Sequence, residues 1–103
     1  MKVYLDDERR TPDGWIGVKS VEECLELLNT KQVSHLSCDN DLGEGMQEGH
    51  VVLDTLEEMV FDDPSFPIPI ITVHSSNHAR TPSMKVVAKK LELIRQQQVN
   101  HGD

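Results

Sequence analysis

Three short polar clusters hold the residues of this chain whose types suit chemistry, and each cluster directly follows an apolar run. They are Asp6-Asp7-Glu8-Arg9, Asp39-Asn40-Asp41 and His74-Ser75-Ser76-Asn77. The apolar runs have the composition of strands, and the carboxyl ends of parallel strands share one edge of a sheet, where open α/β folds place their sites. Four aspartates on one edge would repel one another without a cation. The clusters therefore predict a metal-dependent site with a histidine and an arginine beside it.

The predicted ion is Mg²⁺ or Mn²⁺, and the predicted ligands are Asp6, Asp7, Asp39 and Asp41. Mg²⁺ binds through one or two carboxylates and keeps several waters, so few protein ligands are needed. A single acidic cluster after a strand is more commonly a solvated turn or a helix cap. Two such clusters at two strand ends favour the metal site.

His74 follows a run of β-branched residues, and an imidazole with a pKa near its usual value of about 6.5 suits a general acid or base. Position alone is equally compatible with a buried histidine that is satisfied by a backbone carbonyl. We predict that His74, Asp39 and Arg9 are catalytic. Arg9 has a second interpretation, in which it only neutralises the neighbouring carboxylates.

The predicted substrate-binding residues are Ser75, Asn77, Arg80 and Asn40. Ser75 and Asn77 precede a predicted helix, whose first N–H groups are free to bind an anion. The guanidinium fork of Arg80 matches the geometry of a phosphate. The alternative for Ser75 and Asn77 is that they only shape the turn.

The elements that must position these clusters follow the order β-β-α-β-α-β-α. We predict strands over 2–5, 15–19, 33–38 and 70–74, and helices from Val21 to about Asn29, from about Val51 to Phe61, and after Thr81. Helices between the later strands favour parallel pairing with right-handed crossovers. The first connection is too short for a helix, so the pairing of the first two strands stays open.

The pattern predicts one domain over 1–103 with a small three-layer α/β fold, a mostly parallel four-stranded sheet and about three helices. Ser20-Val21-Glu22-Glu23 is a capping box at the first helix. The apolar stripes of the helices predict a set of buried side chains: Leu25, Leu28, Leu53, Leu56, Val87 and Leu91.

Charge and composition limit the partners. The net charge of −8 disfavours a long nucleic-acid tract, which needs a basic stripe, but allows a small phosphate ester or an RNA end. Cys24 and Cys38 have no metal-ligand spacing and are expected to be buried thiols of a reducing compartment. No apolar stretch is long enough for a membrane span. We expect a cytoplasmic protein with no membrane partner.

The chain resembles the cyclic-phosphate-processing receiver-like domains, small relatives of the response-regulator receiver found in bacteria and phages. The matching motifs are Leu5-Asp6-Asp7-Glu8-Arg9 with Pro12, Ser37-Cys38-Asp39-Asn40-Asp41-Leu42-Gly43, His74-Ser75-Ser76-Asn77, and Gly14-Trp15. The resemblance implies a reduced, flavodoxin-like receiver fold and a role in processing cyclic phosphates, such as the 2′,3′-cyclic phosphate left by RNA cleavage. One departure is that Asn40 stands where the family has a histidine.

The predicted function is therefore a metal-dependent phosphoesterase that processes a cyclic phosphate on an RNA end or a cyclic nucleotide. The alternative is a receiver-like module without turnover that binds a nucleotide or a protein partner. A third interpretation, an acidic structural domain, would leave the three clusters as coincidence. Aspartyl-phosphate signalling is disfavoured because the sequence predicts no fifth strand to carry the lysine of such receivers.

Overall fold

A computed structural model describes residues 1–43, 45, 47–74 and 81–100, without the side chains of Thr81 and Asn100. Seven elements follow the predicted order. They are β1 (Lys2–Leu5), β2 (Ile16–Val18), α1 (Val21–Asn29), β3 (His35–Cys38), α2 (His50–Asp62), β4 (Ile70–Val73) and α3 (Thr81–Asn100). The predicted elements are thus all present, with ends that shift by at most two residues.

The four strands form one parallel sheet in the order β2-β1-β3-β4. The sequence left open how the first two strands pair, and the structure shows that β1 and β2 are parallel neighbours. Tyr4 is in register with Gly17 on one side and with Ser37 on the other. The connection between β1 and β2 lies close against β2, where a Cβ on Gly17 would collide with the side chain of Thr11.

The described helices pack on one face of the sheet. Its core joins alternate residues of the strands, such as Leu5 and Leu36, to buried residues of each helix, such as Cys24, Leu53 and Met84. The parallel α/β fold with four strands and three helices is confirmed, but the described residues form two layers rather than the predicted three. The crossovers from β2 to β3 and from β3 to β4 run in the same direction across the sheet. Because such crossovers are right-handed, they place their helices on the same face. The β1–β2 connection, which runs the opposite way, is a loop and supplies no helix for a third layer.

The predicted core residues lie on the inner side of the helices. Leu28, Leu53, Leu56 and Leu91 are buried, as predicted, whereas Leu25 and Val87 are partly buried and pack against the core from its margin. Ser20 caps α1 as predicted, since the Glu23 backbone N–H donates to Ser20 Oγ and the Ser20 hydroxyl donates to Glu23 Oε1, both at 3.2 Å.

Both cysteines are free thiols inside the core, as the sequence predicted. Burial raises the pKa of Cys24 to about 12 and, with the charges of Cys24 and Asp39, raises the pKa of Cys38 well above its usual value. Both thiols are therefore held in the protonated form near neutral pH, which disfavours a role as a nucleophile. Among the described residues no helix is long and apolar enough to cross a membrane.

Candidate metal and phosphate site

The sheet itself positions the three residues that matter most, because each one continues the hydrogen-bond ladder just beyond a strand. The backbone N–H of Asp6, after β1, donates to the Val18 carbonyl at 3.1 Å. Asp39, after β3, donates to Leu5, and His74, after β4, donates to the Cys38 carbonyl, both at 3.0 Å. Parallel strands end at one edge, so the ladder brings the three side chains together.

Asp6, Asp39 and His74 form one compact group at that edge. Each offers one ligand atom, a carboxylate oxygen or a ring nitrogen, and these atoms all lie within 4.8 Å of one another. Asp6 and Asp39 are only 5% and 6% exposed, and the side chain of His74 is 13% exposed. The carboxylates are therefore largely removed from water, and the imidazole is somewhat more exposed than they are.

Both nitrogens of His74 have partners. Nε2 lies 2.9 Å from Asp6 Oδ2, and Nδ1 lies 2.7 Å from Ser37 Oγ. An ionised carboxylate only accepts, so the Nε2 proton donates to Asp6, and in the neutral ring Nδ1 accepts from the Ser37 hydroxyl. The Tyr4 ring stacks on the imidazole at 4.8 Å between centroids and 12° between planes. Three contacts thus fix both the position and the tautomer of the ring.

Asp6 is held in its ionised form. Burial raises the pKa of its carboxyl, but hydrogen bonds from the Arg9 and Glu8 backbone N–H groups and from His74 outweigh burial, so the pKa lies below its ordinary value. The two backbone donors approach Oδ1 at 2.9 and 2.8 Å. The Arg9 guanidinium Nε lies 3.9 Å from Oδ2, and its side chain is half exposed, so Arg9 reaches both this carboxylate and solvent.

This group fits a hard divalent cation. Two buried carboxylates supply the oxygen ligands that Mg²⁺ and Mn²⁺ prefer, and one or two of them are enough for Mg²⁺. Two negative charges so close together, with little water around them, gain from a positive ion between them. The Nε2 atom of His74 carries a proton that it donates to Asp6, so this nitrogen has no free lone pair for the ion. The imidazole would therefore lie beside the ion without binding it.

The other two predicted ligands lie outside the group. Asp7 is half-buried, and Asp41 is exposed, with its Oδ1 accepting the Gly43 backbone N–H at 3.2 Å. Their role as ligands stays a prediction from sequence. Ser75, Asn77 and Arg80, predicted to bind the substrate, lie outside the described residues.

Asn40 is a buried residue of the loop between β3 and α2, next to Asp39. It is 1% exposed, its Nδ2 donates to Glu48 Oε2 at 3.1 Å, and its Oδ1 accepts the His50 backbone N–H at 3.0 Å. Gly49 lies so close to Asp39 that a Cβ there would collide with the Asp39 carbonyl. These contacts join the start of α2 to the end of β3, so Asn40 helps to place Asp39; its predicted role in substrate binding stays a prediction.

Sequence reasoning missed Ser37 and Tyr4, which orient His74. The signal was present in the alternation along the strands, because Tyr4, Ser37 and Thr72 are in register across β1, β3 and β4 and share the sheet face away from the helices. A polar residue within an apolar run marks that face. The contact between Ser37 and His74, 37 residues apart, depends on the strand order, which local pattern does not give.

Residues 1–90 match the family model of the cyclic-phosphate processing receiver domain. The chain belongs to this family. The match spans all four strands and includes Asp6, Asp39 and His74, so the family match and the site described above cover the same part of the chain. The resemblance seen in the sequence is thereby confirmed for this receiver domain. No curated protein and no solved structure matches the chain.

Proposed function

We infer that this receiver domain is a metal-dependent phosphoesterase that opens a cyclic phosphate. The observation that carries the proposal is the meeting of two buried carboxylates with an imidazole that is hydrogen-bonded at both nitrogens. Such groups can hold a cation and a mobile proton at one place, as ester hydrolysis requires. The family match to cyclic-phosphate processing supports the substrate class.

Asp6 and Asp39 would hold Mg²⁺ or Mn²⁺. An ion held there would supply Lewis-acid chemistry, which would polarise a phosphoryl oxygen and make water a better nucleophile. Asp6 keeps its charge for this role because the turn from Asp6 to Arg9 gives its second oxygen two backbone donors. The exposed part of the Arg9 guanidinium binds a non-bridging phosphate oxygen from the solvent side.

His74 carries the proton that the reaction needs. In ring opening, a water oxygen bonds to phosphorus and releases a proton, one P–O ester bond breaks, and the departing sugar oxygen takes up a proton. The His74 ring accepts the first proton and supplies the second, so it ends in its starting form. The Nε2 proton of His74 lies beside the carboxylate pair, where a phosphate ester would be held. Ser37 and Tyr4 keep the ring aimed at that point, and Asp6 accepts the Nε2 proton until a substrate is bound.

Binding without turnover is the second candidate function, and Asn40 is the observation that favours it. The amide at this position cannot titrate near neutrality, and both of its ends are engaged in the loop. If the reaction needs a second acid or base there, this chain captures a cyclic phosphate and does not open it.

The test is to incubate the protein with adenosine 2′,3′-cyclic phosphate and Mn²⁺ or Mg²⁺ and to follow the products by ³¹P NMR. We expect the cyclic-phosphate resonance to be replaced by that of a monoester, and we expect EDTA to stop the conversion. A protein that binds the nucleotide but leaves the ring intact under all metal conditions would support the binding module and contradict the phosphoesterase.

A further inference from the structure

The sheet face opposite the helices carries a continuous row of rings. Tyr4 stacks on His74, Trp15 meets Tyr4 edge to face at 6.2 Å and 78°, and Trp15 meets His35 at 6.2 Å and 72°. All four rings are half-buried. No helix of the described chain packs on this face, so the row lies along an open surface that leads from the sheet's edge strand to the phosphate site.

The residues around the rings are mostly polar. Ser37 and Thr72 share this face with Tyr4, and the Lys2 ammonium lies 5.7 Å from the centre of the Trp15 ring. Ile70, 42% exposed, is an aliphatic residue in the same row of β4. The centre of a stable interface between two copies is usually more apolar than this. Rings with polar edges and a nearby cation suit a flat, polar-edged ligand instead.

We propose that this row of rings binds the nucleobase of the substrate whose cyclic phosphate lies at Asp6, Asp39 and His74. Any base can stack on an aromatic ring, and open sheet faces with exposed aromatic residues bind single-stranded RNA in this way. Tyr4 stacks on the imidazole and meets Trp15 edge to face, so a base stacked on Trp15 lies beside Tyr4, one ring away from the phosphate site.

The proposal rests on the phosphoesterase function and restricts its substrate to one class. The substrate class is a nucleotide, either a free nucleoside 2′,3′-cyclic phosphate or the last nucleotide of an RNA, and not a cyclic phosphate that lacks a base. The net charge of −8 restricts contact with RNA to its end, because a longer backbone would meet repulsion. Lys2 supplies positive charge beside the ring that stacks.

Trp15 is the one tryptophan in the sequence, so its fluorescence reports on this face alone. The first experiment titrates the wild-type protein with adenosine 3′-monophosphate, a monoester that binds without turnover, and with glycerol 2-phosphate, which has no base. We expect saturable quenching by the nucleotide and none by glycerol 2-phosphate. Equal affinity for the two ligands, or binding of the nucleotide by calorimetry without quenching, would overturn the proposal.

The second experiment compares variants by calorimetry and kinetics. Trp15→Ala should weaken adenosine 3′-monophosphate binding and raise KM by about 5- to 150-fold with kcat retained, while Trp15→Phe keeps most of the affinity. Phe61→Ala, which removes a ring that is 86% exposed on α2, is the control and should bind as wild type. An unchanged affinity in Trp15→Ala would overturn the proposal.

These results separate this proposal from the phosphoesterase function. Quenching and base-dependent binding without ring opening would support the base site and contradict the hydrolysis. Equal turnover of cyclic phosphates with and without a base would support the hydrolysis and contradict the base site. If sedimentation velocity shows a dimer that Trp15→Ala dissociates, the face joins two copies and the proposal is wrong.

Discussion

At the scale of single residues, Asp6 has two roles that depend on the same charge. One carboxylate oxygen organises the turn after β1 by accepting two backbone N–H groups, and the other oxygen accepts the His74 proton. A neutral amide at this position would lose both the charge and the strength of these bonds. The carboxylate of Asp6 therefore both stabilises the turn and orients His74.

The lowered pKa of Asp6 predicts how stability depends on pH. Because the folded-state pKa lies below the unfolded value of about 3.9, the ionised carboxylate stabilises the fold above about pH 4. This contribution is lost as the pH falls through the folded-state pKa. Urea unfolding in EDTA should show wild type more stable than Asp6→Asn at pH 6, with the difference shrinking below pH 4. A difference that stays constant from pH 6 to pH 2.5 would contradict the assignment.

A matched pair of aspartates tests the metal site. Asp39 is buried in the carboxylate pair, whereas Asp41, two residues later, is exposed and lies outside it. Mn²⁺ at ten times its Kd should raise the Tm of wild type and Asp41→Asn by roughly 5–10 °C, and it should leave Asp39→Asn unchanged. Thermal unfolding followed by circular dichroism measures the shift. No shift in the wild type, or an equal shift in all three proteins, would contradict the metal site.

At the scale of elements, the start of α2 depends on a residue from the end of β3. Gly49 caps this helix without a side chain, and Asn40 Oδ1 accepts the first N–H of the helix, that of His50. Helix starts carry N–H groups that need such partners. The start of the helix, Glu48 and Asp39 are thereby held close to one another.

Asn40→Ala should destabilise the fold by about 1–3 kcal/mol, because it leaves buried polar groups without partners. Equilibrium urea denaturation provides the measurement. Asn40→His, with the family's residue, retains an acceptor for the His50 N–H and should cost less than the alanine. A cost below about 0.5 kcal/mol for Asn40→Ala would show that the amide does not support the helix.

At the scale of the whole molecule, one layer of helices on one face of the sheet supplies the core. Leu56 of α2 is fully buried with Leu91 of α3 and with Phe66 and Ile68 of the segment before β4. Leu56→Ala should therefore cost about 2–5 kcal/mol in the free energy of unfolding. Phe61→Ala, on the exposed side of the same helix, should change stability by less than about 0.5 kcal/mol. Similar costs for the two variants would mean that the packing face is misassigned.

The sequence predicts local features well and long-range placement less well. Apolar periodicity and the capping box locate all seven elements, and the polar clusters contain the three residues that the structure brings together, Asp6, Asp39 and His74. The strand order, the single helical layer and the contact of His74 with Ser37 depend on pairings between distant segments. Asp7 and Asp41 show the limit at the site, since Asp7 is half-buried and Asp41 is exposed although each follows a buried aspartate within two residues.

In the proposed function, a proton carried by His74 drives the opening of a cyclic phosphate at the carboxylate pair. Its most direct test is ³¹P NMR turnover of adenosine 2′,3′-cyclic phosphate with Mn²⁺ by wild type, His74→Ala and His50→Gln. His50 is the matched control, a half-buried histidine outside the cluster. We predict a loss of about 10²–10⁴-fold for His74→Ala with its Mn²⁺ thermal shift retained, and near wild-type turnover for His50→Gln. Full activity of His74→Ala on a substrate that the wild type opens would contradict the account.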